Sequence, residues 1–223
     1  MDTRFSPLPS LNAWRQLLAD PEKHWKAGYS AMATAQSWHA AHGLPPEIAP
    51  ILGPDAHLIE ALPEHKVPLP GGRRESQCDV FARVCIGTHT CALAVEGKVN
   101  EAFGPTLGDW LKDASNGKQL RLAKITAMLG LTAPLAPDLR YQLFHRTAAA
   151  VVEAERLNTD SVAMIVQSFS PDHRWFPDFA AFCALFAITA VRGKAHRVRL
   201  PDGRPLLLGW ATGDARFLND LSA

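Results

Sequence analysis

Two runs of small and β-branched apolar residues, 77–86 and 89–98, are separated only by Gly87-Thr88. Strands joined by a two-residue turn have almost no freedom of register. Glycine at the first central position suits a type II′ turn, so Ile86 is expected to face His89. Counting outward sets Asp79 opposite Glu96 and Gln77 opposite Lys98. Alternation then puts Cys78, Val80, Ala82, Val84 and Ile86 on one face with Cys91, Leu93 and Val95, an apolar face that predicts packing on a helix. Asp79, Glu96 and Lys98 are left together on the other face, at one end of the hairpin.

Around this hairpin the chain alternates between helical and strand-like patterns. Leu11, Trp14, Leu17 and Leu18 repeat at helical spacing, and an alanine-rich helix is expected over 24–42. Pro45-Pro46 opens a short helix reaching Leu52. Strand texture begins at 57–62, followed by a Pro/Gly-rich loop over 63–72. Helices are predicted over 107–114, 118–129, 139–157 and 175–190, with a short apolar strand at 162–169. The tail, 196–200 and 205–210 around Pro201-Asp202-Gly203, reads as a second hairpin. The middle of the chain therefore runs α-β-β-β-α-β, an α/β or α+β arrangement, with an N-terminal helical extension (1–54) and a C-terminal hairpin closing the 55–223 core.

Composition narrows the function classes. In 223 residues, 47% are hydrophobic, enough to bury one sizeable core. The 23 Lys and Arg against 22 Asp and Glu leave a net charge of +1, which excludes an overall basic coat for nucleic acid but allows a local patch. No apolar run approaches the roughly 18 residues that cross a bilayer, and Met1-Asp2-Thr3-Arg4 lacks the layout of a secretion signal. Cys78, Cys85, Cys91 and Cys183 form no C-x-x-C pair and read as reduced core thiols. A cytoplasmic protein without membrane partners is expected. No Walker loop, G-x-G-x-x-G fingerprint or G-x-S-x-G elbow is present.

Chemistry is concentrated at the end of the first hairpin. Two carboxylates held close together repel each other unless a cation lies between them. Hard oxygen donors favour Mg²⁺ or Mn²⁺, so Asp79 and Glu96 are the candidate metal ligands. Lys98 extends to the same side, able to orient an attacking water or steady charge on a five-coordinate phosphorus. Asp79 followed by Glu96-Gly97-Lys98 resembles the D…(D/E)-x-K signature of the PD-(D/E)XK, or restriction-endonuclease-like, nuclease superfamily, whose core also runs α-β-β-β-α-β. Cys78 stands where that signature often has proline. Two further stretches, Val95-Glu96-Gly97-Lys98-Val99-Asn100-Glu101-Ala102-Phe103-Gly104-Pro105 and Arg140-Tyr141-Gln142-Leu143-Phe144-His145-Arg146-Thr147-Ala148, resemble a bacterial family of unknown function.

The superfamily likeness implies a metal-dependent nuclease acting on DNA or RNA. It also implies that Gln142 and His145, on the helix over 139–157, orient the metal shell or the phosphate, and that Arg146 contacts substrate. Tyr141, Phe144, Ala148, Val151 and Val152 make the apolar stripe of that helix. Arg73 and Arg74, in the glycine-rich loop ahead of Asp79, are substrate-binding candidates, and Glu60 is a further acidic neighbour. The basic run Arg192, Lys194, Arg197, Arg199 and Arg204 suits a nucleic-acid backbone or a solvated hairpin equally. Bland readings stand beside these: Asp79 and Glu96 as solvated strand-end acids, and Arg140 and Arg146 pairing only with Glu153 or Asp138. Two alternatives to an enzyme follow: a nuclease-like scaffold that binds protein or nucleic acid without catalysis, and a homo-oligomer built through the N-terminal helices. On the enzymatic reading, Glu96→Gln or Lys98→Ala removes Mn²⁺-dependent cleavage and leaves the fold intact.

Overall fold

A computed structural model describes residues 8–132 and 134–221. The N-terminal part is helical: α1 (Leu11–Leu17), α2 (Pro21–His24), α3 (Ser30–Ala41) and α4 (Ala49–Leu52). The single helix expected over 24–42 is broken, because Gly28 takes φ +80° and turns the chain before α3 starts. The α3 N-terminus has no local side-chain cap. Its Ser30 N–H is instead taken by the Glu101 carboxylate at 3.0 Å, from a distant part of the chain.

β1 (Ala56–Val67), β2 (Ser76–Ile86) and β3 (His89–Lys98) form an antiparallel meander, and Ile86 pairs with His89 as the turn demands. β1 continues five residues past the expected end at 62. Pro63 does not stop it, because β1 is an edge strand where a missing N–H is tolerated. After α5 (Leu107–Leu111), α6 (Asn116–Leu129) and α7 (Tyr141–Leu157), β4 (Ser161–Ser168) returns parallel to β3. α8 (Phe176–Ala184) leads to the hairpin of β5 (Ala195–Arg199) and β6 (Pro205–Thr212), and a 3₁₀ turn follows at Ala215–Leu218. The hairpin is no appendage. β6 lies parallel beside β4, giving one six-stranded mixed sheet of order β1-β2-β3-β4-β6-β5.

Helices cover both faces of this sheet, in a mixed α/β architecture. On one side Val80, Ala82, Val84, Cys91, Leu93 and Val95 pack against Trp14, Trp38, Ile48 and Leu52. On the other, Phe81, Ala92, Ala94 and Met164 pack beneath Phe144, Ala148 and Val151 of α7 and Phe179 and Phe182 of α8. Cys78 departs from expectation: it joins the α7 side with Phe81, so the alternation breaks between Cys78 and Val80. That break falls at Asp79. All four cysteines are free thiols, and burial pushes Cys78, Cys91 and Cys183 up to about 12. No helix among the described residues is long and apolar enough to cross a membrane.

Candidate functional site: an acidic cleft at the end of the sheet

The β2–β3 ladder runs from Ile86↔His89 to Val80↔Val95 and then changes character. One step further on, the Gly97 N–H donates to the Asp79 carboxylate (Oδ2) at 2.7 Å. A side chain here takes a backbone donor, which ties Asp79 to the strand opposite. Gly97 is required by contact: a Cβ there would collide with Thr34 Oγ1 of α3 and crowd Asp79 Oδ2 at 3.3 Å. The β1–β2 register places Glu64 on the other side of Asp79, between the pairs Pro63↔Val80 and His65↔Cys78. Glu64, Asp79 and Glu96 thus stand at one level on three neighbouring strands.

Glu96 is the centre of the site and is almost completely buried, at 2% exposed. Its Oε1 accepts from Lys98 Nζ and from Gln142 Nε2 (2.7 Å), and its Oε2 accepts from Arg146 Nε (2.5 Å). Lys98 Nζ also donates to the Gly97 carbonyl at 3.1 Å and lies over the Phe103 ring. Burial pushes the Glu96 carboxyl upward, but the Arg146 and Lys98 charges and hydrogen bonds outweigh it and hold it at about 2. Burial, followed by the Glu96 charge, pushes Asp79 up to about 7 against the pull of Lys98 and Arg146. Burial and the Asp79 charge push Glu64 up to about 8, although Gln77 Nε2 donates to its Oε2 at 2.7 Å.

These groups open onto a cleft of about 580 Å³ whose walls include Glu64, Gln77, Asp79, Glu96, Gln142 and Arg146. Tyr29, Lys23 and His24 of the N-terminal layer and Glu101 form its rim. Of the expected residues, Asp79, Glu96, Gln142 and Arg146 meet here, and Lys98 stands behind Glu96. Arg146 is not a free substrate contact. It is a buried counter-ion of Glu96, with its Nη1 on Ser76 Oγ at 3.1 Å. His145 does not reach the carboxylates: its Nδ1 bonds Ser76 Oγ at 2.8 Å, and it faces a second cavity together with Arg73 and Arg74. Burial, reinforced by Arg146, pushes His145 well below the usual histidine range, so the ring is neutral. Glu60 is turned to Arg83 at 3.1 Å, and Arg140 pairs with Asp178 at 2.9 Å. The basic tail lies on the far edge of the sheet, with β4 and β6 between it and the cleft.

The acid that sequence reading missed is Glu64. Its signal was the continuation of a strand through Pro63, which on an edge strand is allowed. As a cation site the cleft is half prepared. Glu64 and Asp79 each have one carboxylate oxygen outside any hydrogen bond, and after burial the charge of a neighbouring acid pushes each of them up, Asp79 acting on Glu64 and Glu96 on Asp79. Both oxygens of Glu96 are engaged, and among the described residues no three His, Cys, Asp or Glu side chains are already gathered to hold a metal.

Fold and site together define a mixed α/β protein with an acidic cleft at one end of its sheet, the central carboxylate clamped between a lysine and an arginine. A family model described as a domain of unknown function, DUF6946, matches residues 7–215, and the chain belongs to that family. No curated protein and no solved structure matches the chain.

Proposed function

We propose that the cleft is the active site of a metal-dependent phosphodiesterase of the PD-(D/E)XK type, acting on DNA or RNA. The observation that carries this reading is the meeting of Asp79 and Glu96 from adjacent strands, with Lys98 behind Glu96 and Gln142 and Arg146 brought in from α7. A three-stranded antiparallel meander, then α7, then a parallel β4, is in keeping with the α-β-β-β-α-β core of that superfamily. Mg²⁺ or Mn²⁺ would be held by Asp79 with Glu64 or Glu96, and when bound would supply Lewis acidity and relieve the repulsion between the acids. Arg146 and Lys98 fix the orientation of the Glu96 carboxylate, and Gln142 does the same through its amide. Asp79, pushed up to about 7 and only partly buried where it lines the cleft, is the group able to hold or release a proton there.

The test is cleavage of labelled single- and double-stranded DNA and RNA with Mn²⁺ by the wild type and by Asp79→Asn, which keeps an acceptor for the Gly97 N–H. Loss of at least about a hundredfold in rate in a variant with unchanged circular dichroism supports the proposal. Equal rates in the two proteins, or no cleavage of any substrate, overturn it. One observation favours a second reading, a nuclease-like scaffold without catalysis: both Glu96 oxygens are satisfied by the protein itself. Calorimetry with Mn²⁺ separates the two, since the scaffold reading expects no binding heat that depends on Asp79.

A further inference from the structure

On the other side of Ser76 from the acidic cleft lies a larger cavity, of about 740 Å³. Its character is opposite. Arg73, Arg74, Lys118 and Arg121 line it, with Glu75 as the single acid among its lining residues. Arg121 is 8% exposed and forms no ion pair with any described carboxylate. One of its nitrogens, Nη2, donates to the Leu69 carbonyl at 3.2 Å, while Nε is buried without an acceptor. The neighbouring Tyr141 hydroxyl is also buried, and its polar neighbour there is the Arg121 guanidinium rather than any acceptor of opposite charge. A guanidinium withdrawn from water and left without a counter-charge is strongly destabilising unless an anion completes it.

The backbone is shaped around this group. A Cβ at Gly71 would fall 2.6 Å from the Arg121 backbone, so the loop lies against α6 there only as glycine, and a Cβ at Gly72 would push the Arg121 guanidinium aside. The N-terminus of the fourteen-residue α6 opens on the same cavity through Ser115, Gly117 and Lys118, adding the positive end of a helix. Lys118 Nζ lies over the Trp110 ring, which is stacked on Tyr141 at 3.8 Å between centroids. The charged groups around this pair are the features that select a ligand.

We propose that this cavity is a binding site for a phosphate monoester dianion, with Arg121 as its buried anchor and Arg74 and Lys118 closing over it. Four cations against one carboxylate are more than a singly charged ligand balances, and the guanidinium fork matches phosphate oxygens. Such a group is available as free inorganic phosphate or as the terminal phosphate of an oligonucleotide. The site stands independently of whether the acidic cleft cleaves anything.

The experiment is titration calorimetry on the full chain in EDTA, which keeps divalent cations away from the cleft. The three titrants are inorganic phosphate, a 5′-phosphorylated oligonucleotide and the same oligonucleotide without its phosphate. Saturable binding of phosphate, weakened at least tenfold in Arg121→Gln and falling with salt, supports the site. Tighter binding of the phosphorylated oligonucleotide than of either other titrant assigns the phosphate to a nucleic-acid end, and equal binding of free phosphate assigns it to the small ion. Should Arg121→Gln fail to fold, the pair variant Arg74→Gln/Lys118→Gln, outside the buried core, carries the same expectation. No saturable heat with either inorganic phosphate or the phosphorylated oligonucleotide, unchanged affinity in a folded variant, or equal saturable binding of the two oligonucleotides overturns the proposal.

Discussion

The behaviour of this molecule turns on Glu96, a carboxylate buried between Lys98 and Arg146. Removing one member of a buried ionic cluster strands the others, and this outweighs the loss of any single hydrogen bond. Glu96→Gln is therefore expected to cost about 3–5 kcal/mol in urea unfolding. That revises the expectation of an intact fold, which belonged to the reading of Glu96 as a metal ligand at the end of the hairpin. Glu64 and Asp79 behave in the opposite sense. Their folded forms hold protons up to about 8 and about 7, whereas the unfolded chain releases them in the ordinary carboxylate range. The folded state then binds more protons in that window, so stability falls as pH rises from about 4.5 to about 8. Glu96, held at about 2, contributes stability that is present above the ordinary range and is lost as pH falls toward 2. Melting temperatures from pH 5 to pH 8 should decline in the wild type and decline less in Asp79→Asn. On the proposed metal reading, Mn²⁺ should raise the melting temperature more at pH 8 than at pH 5, and a shift that does not vary with pH speaks against that reading.

Among the elements, β3 was the most legible, because a two-residue turn and an alternating pattern leave one register. Its bounds and its pairing with β2 follow directly from residues 77–98. What the pattern could not convey is the break at Cys78–Asp79, where a side chain replaces a ladder partner. Strict alternation assumes that every backbone donor is met by backbone. The end of β1 was misplaced for a related reason: proline ends a central strand but not an edge, and edge or centre is decided by the order of strands. The Asp79–Gly97–Thr34 contact joins β2, β3 and α3 at one point. Gly97→Ala is expected to lose about 1–3 kcal/mol in thermal or chemical unfolding through overpacking. Thr34→Ala in the same background should restore part of the loss, since Thr34 Oγ1 is the atom the new methyl meets.

At the scale of the whole molecule, the N-terminal helices form a layer of the structure. Trp14, Trp38, Ile48 and Leu52 cover the sheet face made by Val80, Val84, Leu93 and Val95. Trp38 Nε1 is bonded to the buried Gln167 of β4 at 3.0 Å, which pins α3 to the centre of the sheet. A chain lacking residues 1–54 would bare that face, and light scattering should detect association or precipitation. A monodisperse, folded truncation would show that the layer is dispensable.

The residues by themselves determined the hairpin register, the level shared by Asp79 and Glu96, and the amphipathic α7, because these depend on turn length and periodicity over a few residues. The tertiary structure alone decided that β6 enters the sheet beside β4, that Glu64 completes the row of acids, that Glu96 is clamped by cations, and that Arg121 lies buried without a counter-charge. Each of these depends on segments far apart in the chain arriving at one place, where burial and neighbouring charge set what a side chain can do, and no local pattern encodes that meeting.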